Sequence, residues 1–201
     1  SRVIIVTPDV AGCPIEGSAT IGSKLYNTEE GEVFLSVSQI HNVEEIDTVG
    51  LHELGHNFGV WHANYWDCGD EIIGSNCHSI EYGDYFDSMG SSYQQTHYNT
   101  YHKEKIGWTN SDHQIFKVKN SGIYKILPLE SQQVGIKGLK IERNDGSYLY
   151  VDYRRRIGFD STYSKSYELD GALLYFNMLN NGGDTQLLDM SPEDTSYNTV
   201  L

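Results

Sequence analysis

His52-Glu53-Leu54-Gly55-His56-Asn57-Phe58-Gly59-Val60-Trp61-His62 reads H-E-x-x-H-x-x-G-x-x-H, and the rest of the chain is organised around it. Residues four apart on a helix lie on one face, one turn along. His52 and His56 can therefore offer two imidazoles to a single metal ion. Glu53, one residue along, is close enough to serve a metal-held water as general base. Gly59 comes three residues after His56. Glycine tolerates the left-handed conformation that ends a helix and turns the chain, and that turn can bring back His62 as a third nitrogen ligand. Three protein ligands and one open position are the form of a catalytic zinc site, whereas structural sites close all four. The pattern fixes five residues, each used at a few per cent, so chance produces it in about one window in ten million. The bland alternative, an amphipathic helix whose histidines are ordinary surface or core residues, is outweighed by that rarity.

Upstream of the motif, Asn42 reads as the N-cap of the same helix. Glu44 and Glu45 fall in its first turn, where negative charge suits the helix dipole. Ile46, Val49, Leu54 and Phe58 form its apolar stripe. Residues 2–7 are a β-branched run stopped by Pro8 and read as a buried strand. Residues 12–22 are glycine-rich and read as a loop. Val33, Leu35 and Val37 alternate with Phe34, Ser36 and Ser38, the pattern of a half-buried strand.

Downstream, Cys68 and Cys77 bracket a short loop. A disulfide in an oxidising compartment is one reading and two unpaired thiols the other. Cys13 is left over, either structural or paired outside this chain. Glu81-Tyr-Gly-Asp-Tyr-Phe-Asp-Ser-Met-Gly90 places Met89 in a tight turn 27 residues after His62. Residues 96–107 read as a second helix ending at Gly107-Trp108, with Tyr98, Tyr101, Lys105 and Ile106 among its packing residues. From about Ser111 short alternating runs take over, at 114–118, 122–127, 136–141, 147–153 and 172–176. Arg143-Asn-Asp-Gly146 between two of them is a hairpin signal. These runs predict a mostly antiparallel β module, with a sandwich as one form of it. Arg154-Arg155-Arg156 reads as a solvated charge run, with carboxylate docking as the alternative. No internal repeat and no linker rich in proline or serine separates the parts.

The chain has 201 residues, 38% of them hydrophobic and 12% aromatic, which places it among folded globular proteins and not disordered ones. A net charge of −14 would repel a phosphate backbone, so nucleic acid is not an expected partner. The acidity reads first as keeping a secreted protein soluble. Basic substrates and calcium are further options, calcium without a supporting motif. Apolar runs such as 3–6 and 172–179 are far shorter than a membrane span. No signal peptide stands at Ser1, so the chain reads as a mature or excised piece.

The extended histidine motif followed by a methionine turn is the metzincin signature, and the chain resembles the metzincin zinc endopeptidases. Glu81-Tyr-Gly-Asp, then Asp87-Ser-Met-Gly90, then a helix ending in Lys105-Ile-Gly-Trp108 make it similar to the gametolysin-like branch. Segments 121–129, 150–155 and 170–174 extend the resemblance over roughly residues 45–176. It implies a metzincin-like, two-lobed zinc protease catalytic domain, placed over 1–110, with a cleft between the lobes; with the β-rich C-terminal module read from the alternating runs over 111–201, the expected fold is α+β. It also implies one catalytic zinc ion on His52, His56 and His62, Glu53 as the catalytic base, Met89 as an apolar floor under the imidazoles, protein or peptide substrates, and a secreted location. By strand order, residues 32–39 would be the edge strand that pairs with extended substrate; an interior strand is the alternative. Some metzincins add a tyrosine ligand two residues past the methionine. Ser91 stands there, which leaves three protein ligands, with Tyr93 a weaker candidate for steadying substrate. Only 51 residues precede His52, where the family's upper lobe generally carries more strands and a further helix. A reduced or incomplete upper lobe is therefore expected, with a propeptide or further N-terminal segment as a partner. Algal members can carry glutamine at the first ligand position, where this chain has His52.

Two alternatives stay open. Lys105-Ile-Gly-Trp108 and the 122–128 segment are also similar to immune-inhibitor-type zinc proteases, in which an acidic residue, here Glu71 or Glu81, would replace His62 as ligand. A non-catalytic, zinc-stabilised binding or adhesion module is the other. Glu53 argues against it, since a pure binding site has no use for a base.

Overall fold

A computed structural model of the chain describes residues 1–9, 12, 14–91, 95–109, 114–163, 169–177 and 183–193. Its contacts group into two units, Ser1–Trp61 and His62–Leu201. The chain is sheet-rich with few helices, an α+β arrangement.

The first unit is built on β4, Gly31–Ile40. β1 (Arg2–Val6) pairs with it in parallel, and β2 (Gly17–Ala19) and β3 (Lys24–Thr28) pair with it antiparallel. α1, Val49–Asn57, packs on β4 and β2. On β4, Ser36, Ser38 and Ile40 are buried while Val33, Leu35 and Val37 are half-buried. Alternation puts the two serines on the face of Ile40, whose Cδ1 approaches Gly50 of α1 so closely that a Cβ there would sit 3.3 Å away. Small side chains on that face let the helix come near. Asn57 fixes its end by donating from Nδ2 to the carbonyl oxygens of Thr20 and Val37, 3.1 Å each.

Several expectations for this unit need correction. β1 is a strand, but all five of its residues are exposed. It lies at the sheet edge with β4 as its one paired neighbour, so its β-branched run gains little cover. The glycine-rich stretch 12–22 contains β2. Asn42 does not cap α1. Its side chain accepts from Glu44 N only two residues on, a tight local bond that starts a 3-10 turn over Val43–Glu45, and α1 begins after Thr48. Over Ser38–Ile40, β4 pairs with β1 and β2 at once, so that part of 32–39 is interior.

The second unit contains a seven-stranded sheet in the order β6-β5-β11-β10-β9-β8-β7. The strands are β5 (Ala63–Asp67), β6 (His78–Ile80), β7 (Ile115–Val118), β8 (Gly138–Glu142), β9 (Tyr148–Arg154), β10 (Gly171–Asn177) and β11 (Thr185–Leu188). β5 with β11 and β7 with β8 are parallel pairs; the other pairs are antiparallel. β10 buries Gly171, Leu173 and Tyr175 at period two. Leu173 and Tyr175 join Phe86, Tyr150, Tyr163, Leu169 and Leu187 in the core. Each such aliphatic or aromatic side chain contributes about 1.5–3 kcal/mol by leaving water. β8 and β9 form a hairpin at residues 143–146, with Gly146 at φ +81° as the turn requires.

The division at Trp61/His62 does not coincide with the expected boundary at 110/111. β11 inserts between β5 and β10, so strands from both sides of residue 110 share one sheet, where a separate sandwich was one expectation. Residues 122–127 belong to no described strand; Ile123 is fully exposed. The second helix, α2, is Thr100–Lys105, shorter than 96–107. Asn99 caps its start by accepting from His102 N, and Gly107 at φ +77° follows its end. Arg154 is fully buried, not solvated: the alternation of β9 turns it inward with Tyr150 and Asp152. A buried guanidinium needs partners. Its Nε donates to Glu130 Oε1 at 2.6 Å and its NH2 to Asp160 Oδ2 at 2.5 Å. Arg155 and Arg156 pair with Asp170 nearer the surface. Cys13 and Tyr93 lie outside the described residues.

Candidate metal centre

α1 sets the first two imidazoles. His52 and His56 are one turn apart, both 7% exposed, with ring centroids 4.8 Å apart and edge-on. After the helix, Gly59 takes φ +93°. Its N–H donates to His56 O at 2.8 Å and Val60 N–H to Gly55 O at 3.2 Å, which closes the helix end and turns the chain. The turn brings Val60 O to His56 Nδ1 at 3.0 Å. A carbonyl only accepts, so Nδ1 carries the proton and Nε2 is the nitrogen a metal would take.

His62 is held by partners within the second unit. Its N–H donates to Asp184 Oδ1 at 3.1 Å, and its carbonyl accepts from Thr185 N–H at 3.1 Å. Its Nδ1 pairs with Glu81 Oε1 at 2.9 Å, the carboxylate–histidine arrangement that again assigns Nε2 to a metal. The ring lies 4.2 Å from that of Tyr82, a non-glycine residue at φ +59°. His52, His56 and His62 each offer a ligand atom, and these atoms lie within 4.8 Å of one another. Three neutral imidazoles at that spacing fit one divalent cation of the zinc type. Glu71 and Glu81, the acidic alternatives to His62, are not in the group.

Glu53 is 6% exposed on α1. Burial pushes its carboxyl up to about 7; a cation on the histidines would oppose that shift. Its Oε2 is buried without a hydrogen-bond partner among the described residues. Such an orphan is costly unless a ligand or water completes it. Room for Glu53 comes from Gly17 on β2: a Cβ at that position would stand 2.7 Å from Glu53 Oε1 and 2.6 Å from Val49 Cγ1. Sequence reading placed Gly17 in a loop and missed it, because its partners are more than 30 residues away.

Met89 is fully buried in a tight turn. Asp87 Oδ1 accepts from Met89 N at 2.6 Å, while Oδ2 accepts from Asn99 N at 2.7 Å and from His102 Nδ1 at 2.9 Å. Burial alone would push the Asp87 carboxyl up, but His102 and the N–H donors together hold it below its ordinary value. Gly90 is required there, since a Cβ would collide with Asp84 O. Met89 O accepts from Ala63 N at 2.9 Å, which ties the turn to the residue after His62. Cys68 and Cys77 are joined by a disulfide between the end of β5 and the start of β6.

No curated protein and no solved structure matches the chain. A family model described as gametolysin peptidase M11 matches residues 1–136, a stretch that includes the three histidines, Glu53, Met89 and α2. Since that match takes in well over half of the 201 residues, the chain belongs to the gametolysin peptidases, family M11, a family of metallopeptidases.

Proposed function

We propose that this protein is a zinc-dependent endopeptidase acting on peptide bonds of extracellular proteins. The observation that carries the reading is Glu53, a buried carboxyl with an unsatisfied oxygen, beside a group of three histidines that one ion can bridge. Zinc bound there would supply Lewis-acid polarisation of the scissile carbonyl and lower the pKa of the attacking water. Glu53 takes the proton from the attacking water and returns it to the leaving amine, a task suited to a carboxyl held beside the ligating histidines with one oxygen unsatisfied. Val60 O and Glu81 hold His56 and His62 in the ligating tautomer. Met89, fully buried in its braced turn, is assigned as the apolar floor of the site. All of these groups fall within residues 1–110.

The disulfide supports an oxidising, extracellular setting. Among the described residues no helix is long and apolar enough to cross a membrane. A purely binding or adhesive role leaves Glu53 unexplained.

The test compares wild type with Glu53→Gln. Metal content should be equal in the two. Cleavage of a peptide library by wild type should stop with a chelator, and the variant should be slower by at least about a hundredfold. Near-wild-type cleavage by Glu53→Gln, or wild-type cleavage that ignores the chelator, would refute the reading.

A further inference from the structure

We infer that Asp184 is a positioning residue of the metal centre, and that through it β11 is an integral part of the site. The inference rests on the zinc reading above and goes beyond it. His56 is held by its own helix, but His62 lies between the Gly59 turn and β5 and has no helix to fix it. Both of its main-chain polar groups are taken by the β11 segment: the N–H by Asp184 Oδ1 and the carbonyl by Thr185 N–H, 3.1 Å each. An N–H bond to a carboxylate is of the stronger, charge-assisted kind.

The anchor itself is buried and paired on both sides. Thr185–Leu188 are all buried, paired in parallel with Ala63–Trp66 on one side, and β10 pairs along the other. Asp184 O accepts from Asn177 Nδ2 at 3.2 Å, which pins the residue to the end of β10. The main chain that carries the third imidazole is thus tied to a residue 122 positions away in sequence, beyond residues 1–136, while Glu81 orients the ring. The C-terminal strands thus help to hold a ligand that the histidine motif supplies.

The test uses the full chain, with zinc affinity measured by competition against a chromophoric chelator. The visible spectrum of the cobalt(II)-loaded protein provides a second readout of ligand geometry. Asp184→Ala should weaken zinc by about 10–100-fold, the range for partners that orient a metal ligand, and should change the cobalt spectrum. Asp184→Asn keeps an oxygen that accepts the His62 N–H, so it should bind zinc close to wild type with the wild-type spectrum. Wild-type affinity and spectrum in Asp184→Ala, or an Asp184→Asn as weak as Asp184→Ala, would overturn the inference. His56→Ala separates the two levels. Zinc lost in His56→Ala but kept in Asp184→Ala overturns the anchor alone; zinc kept in both overturns the metal reading with it. Should Asp184→Ala fail to fold, hydrogen exchange on wild type decides: zinc should slow exchange in the 183–188 peptide, and unchanged exchange overturns the inference.

Discussion

Gly17→Ala is a stringent probe of the site, because it adds one methyl group at a place where the structure has room only for hydrogen. Gly17 does not occupy the left-handed region, so alanine meets an obstacle of space and none of backbone conformation. The new Cβ would stand 2.6 Å from Val49 Cγ1, 2.7 Å from Glu53 Oε1 and 2.9 Å from Glu53 Cγ. Ordinary contact begins at 3.4 Å, so these atoms must retreat by 0.5 to 0.8 Å. Gly17 itself is held in register opposite Ile40 on β4 and cannot easily take up the shift. A general base displaced by most of an ångström loses up to about a hundredfold in rate, and overpacking of this kind costs about 1–3 kcal/mol of stability. The expected result is a kcat lower by about ten- to a hundredfold, with zinc stoichiometry unchanged and a lowered Tm. Adding Val49→Ala to Gly17→Ala should recover part of the loss by opening the other side of the clash. Steady-state kinetics on one peptide, metal analysis and thermal melting are the assays. A kcat equal to wild type in the single variant would refute the placement of Glu53 against β2.

Burial pushes the Glu130 carboxyl up to about 8 from its ordinary 4.5, and Asp160 beside it adds to the shift while Arg154 opposes it. A raised folded value means stability that is present below about pH 4.5 and lost as pH climbs toward 8. Glu130→Gln, which cannot ionise, should therefore gain on wild type by roughly 1 kcal/mol per pH unit between pH 5 and 8; urea unfolding of both proteins at several pH values checks this, and a flat difference sinks it. The Cys68–Cys77 bridge closes a loop with a sequence separation of 9. Replacing both cysteines by serine should cost about 2–3 kcal/mol by loop-closure entropy. Unfolding free energies within error of wild type, or two free thiols in a non-reduced digest of protein made under oxidising conditions, would contradict it.

The sequence by itself carried what depends on a few neighbouring residues. The four-residue spacing of His52 and His56 places them on one helix face whatever the tertiary context, and Gly59 supplies the one conformation that ends the helix there, seen at φ +93°. The hairpin at 143–146 and most of the alternating runs were legible for the same reason: turn chemistry and period-two patterning are local. Tertiary structure decided everything that depends on which segments meet. An apolar run cannot report whether a strand will be covered, so β1 read as buried and stands exposed at an edge. A row of arginines cannot report that Glu130 and Asp160 will enclose the first of them. Gly17 looked like loop glycine until β2 brought it against Glu53. The insertion of β11 beside β5 puts Asp184 on the main chain of His62, a pairing across 122 residues. Contacts of that range are set by the free energy of the assembled core, which no local pattern encodes.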